Sequence, residues 1–430
     1  MTAGTSKGAA ERIPLPREVW ILASVAFCVA IGYGIVAPAI PGFAREFGVS
    51  RTLAALVISM FALARLTAAF GGGKLVDKFG ARPILGLGLV IVAVSSALAG
   101  ISGTYWQLLS LRGAGGLGSA MFTIASASVL AARVPSAIRG RAMSIYAGGF
   151  LLGGIAGPAI GGPLTEASLR LPFFFYAGTL AIAAVITFVF LSGGSKIRSR
   201  KSTGSQDDIS GEDDEPTPTE GAREALRDRL FRAATVANFS AMWANAVRTA
   251  TVPLFVVEVL LQGESMTGYG LAVYAISNGL FLVAAGKLSD TWGRRPAMIL
   301  GAGLTAVALG VLAFTDSLVM FFLSMVVGGI GASMQVVGPA AVAGDMAKGR
   351  RGSVLATYQM AGDVGVVLGP IAVNFVVDQA GYQWAFAASA VIAVSAAAFA
   401  FASRDRPTLP SRPVAPDESA QPDESARLER

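Results

Sequence analysis

The 430-residue chain has no histidine and a single cysteine, Cys28. The missing histidine excludes His-based triads, imidazole general bases and His metal sites. One cysteine excludes an intrachain disulfide. Charge is scarce too, at 14% of residues against about 25% in a soluble domain. No Gly-x-x-x-x-Gly-Lys-Ser/Thr loop occurs, so the chain lacks the usual cradle for nucleotide phosphates. One deep carboxylate, no histidine and no metal cluster argue against an enzyme, and no metal site is expected.

Apolar sequence takes the place of charge: 53% of residues are hydrophobic. They gather in runs of about 20, long enough to cross a hydrocarbon core of about 30 Å as helices. The 52 glycines lie within these runs, where small residues let helices approach closely in lipid. Twelve spans are expected, at 18–41, 53–73, 84–103, 105–132, 141–165 and 171–192, then 231–257, 267–286, 297–315, 317–345, 352–377 and 383–402. The fold class is therefore all-α membrane protein, with two six-helix bundles at 18–192 and 231–403. The tails 1–17 and 404–430 and the charged linker 193–230 cannot bury a core and are expected to be disordered, apart from some helix near 222–230. The first run, from Val19 to Ala39, is too long for a cleavable signal peptide and leads into further spans.

A net charge of +7 could suggest a nucleic-acid partner, but the cations lie between the spans, as membrane topology requires. Both termini, the linker and the 133–141 and 348–351 loops are basic. The opposite loops carry only Arg45, Arg51 and Arg170. A multi-pass protein of the cell (inner) membrane follows, with both termini cytoplasmic, the bilayer as a partner and no nucleic acid.

One cassette occurs twice: GKLVDKFGARP at 73–83 and GKLSDTWGRRP at 286–296, 213 residues apart. Arg112 to Gly118 aligns with Met325 to Gly331 at the same offset, and Gly140 to Pro158 aligns with Gly352 to Pro370 at an offset of 212. Matched places at a near-constant offset indicate two parallel halves.

On these residues the chain resembles the major facilitator superfamily over all twelve spans. The cassettes resemble its loop between spans two and three and the echo between eight and nine. Arg112, Gly116 and Gly118 match its span-four pattern R-x-x-x-G-x-G. Gly153, Gly157, Pro158, Gly161 and Gly162 match a span-five motif of the drug:proton antiporter branch. Ala81 stands where the family usually has a second basic residue, and the first span has no acidic residue. The resemblance implies a cytoplasmic latch between the halves, made by Gly73, Asp77, Gly80 and Arg82 and by Gly286, Asp290, Gly293, Arg294 and Arg295. The alternative is a fixed topological anchor.

Charges inside the spans are costly and usually serve a purpose. Arg65, Arg112, Arg248 and Asp363 are the candidates for proton coupling. Asp363 is the only deep carboxylate, and an arginine that approaches it would favour its ionised form. Asp363 could instead form a permanent ion pair with Arg248 or Arg65. Arg112 could be a polar hub bonded to backbone carbonyls. Gly149, Gly153, Gly157 and Gly161 share a helix face, either as a kinked gate at Pro158 or as ordinary helix packing. Substrate contacts are expected from Tyr33, Phe61, Trp243, Asn245, Tyr274, Asn278, Gln335 and Gln359, since mostly apolar pockets with a few polar groups suit amphiphiles.

The resulting expectation is a monomeric secondary transporter that exports a small amphiphilic molecule by alternating access. It would need no cofactor, with the proton gradient as energy source. Proton-coupled uptake, facilitated diffusion and a non-transporting membrane sensor remain open alternatives.

Overall fold

The structure, a computed structural model, describes residues 14–135, 138–191, 223, 225–346 and 351–403. The expected tail 404–430 lies outside these residues, as do most of the N-terminal tail and the linker up to 222. Of the 222–230 stretch, Ala225 is helical, and Asp228 Oδ1 caps the next helix by accepting from Leu230 N and Phe231 N at 2.9 and 3.0 Å.

Thirteen helices are bounded among the described residues. The first half comprises α1 (Arg17–Val36), α2 (Ala39–Arg45), α3 (Arg51–Phe79), α4 (Ala81–Gly100), α5 (Tyr105–Arg133), α6 (Arg139–Ala167) and α7 (Leu171–Phe190). The second comprises α8 (Arg229–Glu258), α9 (Glu264–Thr291), α10 (Arg294–Phe314), α11 (Leu318–Met346), α12 (Arg351–Ala380) and α13 (Tyr382–Ala402). Pro38 sits between α1 and α2, which together form one apolar segment. Among the described residues, eleven segments are long and apolar enough to cross a membrane. The expected span at 231–257 is a continuous helix, α8, but Asn238, Asn245, Arg248 and Thr249 dilute its apolar character. The chain is an integral multi-pass membrane protein.

Both cassettes differ from the expected loop. α3 continues through Gly73 and Asp77 to Phe79, and α9 runs through Gly286 and Asp290 to Thr291. The chain reverses only at Gly80 (φ 89°) and Gly293 (φ 104°), a backbone region that other residues rarely adopt. Asp77 and Asp290 therefore lie in the last turns of helices rather than beyond their ends.

The repeat persists as packing. A Cβ on Gly88 of α4 would lie 2.6 Å from Gly118 O of α5. At the matching positions 213 residues later, a Cβ on Gly301 of α10 would lie 3.0 Å from Gly331 O of α11. Both pairs of helices meet backbone to backbone where only glycine fits. Four tryptophans are exposed near helix ends: Trp20 and Trp292 at the cassette end, Trp106 and Trp384 at the far end. This is the distribution of an interfacial aromatic belt. The halves meet along two seams, α3 with α12 and α6 with α9.

Candidate functional site: a cavity between the halves

Both halves wall a cavity of about 750 Å³. Tyr33, Phe61, Asn245, Tyr274 and Asn278 line it, together with Arg65, Arg248 and Asp363. Three expected contacts do not. Trp243, two residues from Asn245 and so on the other side of α8, donates from its indole N–H to Ser389 Oγ at 3.3 Å. Gln335 is buried and turned toward α10, where Nε2 donates to Gly301 O at 3.1 Å and Thr305 Oγ1 at 3.0 Å. Gln359 is exposed one turn nearer the cassette end than Asp363, beyond the cavity wall.

The structure adds wall residues that the sequence reading missed. Tyr146, Phe150, Gly154 and Pro158 all line the cavity. They recur every four residues on α6, and that spacing was a usable signal. Tyr176 of α7 closes the wall edge-on to Tyr33, with centroids 6.4 Å apart. The neighbouring α6 stripe is the expected glycine column, and it faces away from the cavity. A Cβ on Gly153, Gly157 or Gly161 would come within 2.7 Å of the α1 backbone, at Phe27 O, Ile31 O and Ile35 O. The column is thus the α1–α6 packing seam. Gly162 alone among the motif glycines faces the other half, where a Cβ would lie 2.8 Å from Ser265 O.

The intramembrane charges separate into three environments. Arg65 Nη2 of α3 lies 3.9 Å from Asp363 Oδ1 of α12, an ion pair between the halves. Arg248 is buried with its guanidinium 3.4 Å above the Tyr274 ring, and Nη2 donates to Asn245 Oδ1 at 3.1 Å. The alternative pair of Asp363 with Arg248 is not formed. Arg112 is 2% exposed and packs 4.6 Å from the centre of Phe61. Its Nε has no acceptor, so at that atom it is not the carbonyl-bonded hub considered above.

No hydrogen bond or ion pair among the described residues joins the cassettes across the halves. Asp77 is exposed. Arg82 donates to Phe188 O within the first half. Arg294 pairs with Asp290 at 2.7 Å and Asp345 at 3.6 Å, and Arg295 donates to Ala400 O at 3.1 Å, all within the second half. Gly73 and Gly286 face open space. Among the described residues the expected inter-half latch is not made in this conformation, and Arg65–Asp363 is the inter-half ion pair nearest the cassettes.

The far end is closed instead. Asp378 of α12 reaches the start of α3: Oδ2 accepts from Thr52 N at 2.9 Å and Thr52 Oγ1 at 2.6 Å, and Oδ1 accepts from Arg51 N at 3.2 Å. With Ser50 Oγ accepting from Leu53 N at 3.3 Å, the first three amides of α3 are satisfied, two of them by the other half. Arg51 donates from Nε to Glu258 Oε2 at 2.8 Å, and the Tyr382 hydroxyl donates to the same oxygen at 2.8 Å. The sequence signal for this cluster was charge at the wrong helix ends. Arg51 starts a helix, while Glu258 and Asp378 lie in last turns, each opposed by its own helix dipole. The other far-end arginines are also engaged: Arg45 lies 4.0 Å from Glu258, and Arg170 donates to Gly100 O at 3.2 Å.

Comparison with known proteins agrees with this architecture. The Major Facilitator Superfamily profile matches residues 22–260 and again 234–427. An uncharacterized MFS-type transporter of Methanocaldococcus jannaschii is 24% identical over 388 residues, covering 88% of this chain and 96% of the relative. The class B tetracycline resistance protein of Escherichia coli is 28% identical over 309 residues, covering 70% and 74%. A bacterial homolog of the human lysosomal transporter Spinster, solved inward-facing and unoccupied, superposes with a TM-score of 0.74 at 17% identity, over 90% of this chain and 96% of that one. With its twofold repeat, paired bundles and matched profile, the chain belongs to the Major Facilitator Superfamily.

Proposed function

We propose that the protein is a drug:proton antiporter-type exporter of the cell (inner) membrane, carrying a small amphiphilic molecule outward by alternating access. The observation that supports this reading most is the shape of the site. The cavity is walled by both halves, closed at the far end by the Asp378 cap, and bridged within by the Arg65–Asp363 pair. If the basic cassette end is cytoplasmic, as its arginines and lysines favour, the cavity accepts substrate from inside the cell. The tetracycline resistance relative favours export over uptake.

In this reading α8 is the twelfth crossing. Its 30 residues span about 45 Å at helical rise, and its polar residues Asn245, Arg248 and Thr249 face the cavity. The halves 18–192 and 231–403 rock as units. The protein acts as a monomer with the bilayer and the substrate as partners. It uses the proton gradient and no cofactor. Asp363 carries the proton: ionised, it attracts Arg65 across the seam, and protonation removes that attraction and frees the seam to open. Arg112 and Arg248 bias the site electrostatically, and the cassettes latch the cytoplasmic end when it closes.

The test is flux in proteoliposomes under an imposed pH gradient. Wild-type protein moves substrate opposite to protons, while Asp363→Asn binds substrate but gains nothing from the gradient. An Asp363→Asn variant that still exchanges substrate for protons would place coupling elsewhere. Movement of substrate with protons would make the protein a symporter.

A further inference from the structure

The charges of the cavity wall do not balance. Among the described residues, its charged members are Arg65, Arg248 and Asp363. Asp363 is committed to Arg65 across the seam. Among the described residues Arg248 has no carboxylate partner, and its guanidinium donates one hydrogen bond, to Asn245. One face of the guanidinium is covered by Tyr274. Its remaining donors belong to a side chain that lines the cavity, while Arg112, with no carboxylate partner among the described residues, adds a second cation just behind Phe61. A buried cation without a counter-ion is expensive in a membrane interior. A guanidinium whose stacking fixes its plane presents a fork suited to a carboxylate.

We infer that the cavity takes an organic anion, an amphiphile whose carboxylate pairs with Arg248 and whose apolar body lies among Tyr33, Phe61 and Tyr176. The inference rests on the exporter reading and narrows its substrate class. The sign of charge fits export as well. An anion moving out and a proton moving in both run with an interior-negative potential.

The test uses a matched series on the purified full-length protein in detergent: 2-naphthoate, 2-naphthamide and 2-(aminomethyl)naphthalene, followed by equilibrium dialysis. The acid is expected to bind at least about ten-fold more tightly than the amide or the amine. Arg248→Gln should erase that preference while keeping the wild-type thermal-unfolding midpoint in detergent, which reports that the variant is folded, and Arg248→Lys should keep part of it. Binding of the amine as tightly as the acid overturns the inference. So does an Arg248→Gln variant that keeps the preference, or failure of all three ligands to bind. Exchange of the amine for protons in proteoliposomes would leave the exporter reading standing and sink this one. Acid binding without proton-coupled flux would do the reverse.

Discussion

Two glycines of one helix can differ entirely in what they tolerate. Gly148 faces open space, whereas a Cβ on Gly157 would lie 2.6 Å from Ile31 O, a backbone atom that cannot turn aside. Gly157→Ala is expected to destabilise the protein by about 1–3 kcal/mol, the usual cost of overpacking a tight site. Gly148→Ala should be neutral. Thermal unfolding in detergent checks the pair, and equal midpoints would mean that the α1–α6 seam yields. The same contrast holds for the arginines. Arg248 and Arg112 are both buried, yet one lines the cavity and the other is packed behind it. The sequence marked both as costly and therefore purposeful. It could not say which faces the cavity, because that depends on rotation about the helix axis and on the neighbour that each helix meets.

At the scale of elements, α3 depends on a residue 326 positions away for its first turn. Capping residues contribute about 0.5–2 kcal/mol, and a partly exposed ion pair adds about 0.2–1 kcal/mol. Asp378→Ala is therefore expected to weaken the far-end closure by about 1–2 kcal/mol, a shift of roughly 5–30-fold toward far-end opening. Distances between spin labels at the far ends of α3 and α12 would report it, and an unchanged distribution would show that the cap does not hold the closed state. Helix existence was largely legible in the sequence, since long apolar runs have few alternatives in lipid. Helix ends were less so. The cassettes looked like polar loops because of their charges, but the helical hydrogen bonds carry on until a glycine permits the reversal.

At the scale of the whole molecule, two similar bundles meet along two seams, with bonded contacts at the far end and none between the cassettes among the described residues. In the proposed alternating-access cycle the far-end cluster breaks at every turn. Thr52→Cys with Asp378→Cys, in a Cys28→Ser background, should form a cross-link with a short thiol-reactive linker. Cross-linking is expected to stop transport while leaving access to the cavity from the cassette end. Full activity after complete cross-linking would exclude rocking about these seams.

The sequence by itself determined the membrane class, the duplicated halves, the basic cassette end and the short roster of charges within the spans. Each of these is a property of composition or periodicity that lipid enforces wherever the helices pack. Tertiary structure decided the partners. It paired Asp363 with Arg65 rather than Arg248, set Gln335 and Trp243 into helix seams, turned the α6 glycine column of Gly149, Gly153, Gly157 and Gly161 toward α1, and joined three charges at unfavourable helix ends into the far-end closure. The physical reason is that apolar spacing fixes which side of a helix is buried, while the angle and height at which two helices meet decide which polar groups come within 3 or 4 Å of one another.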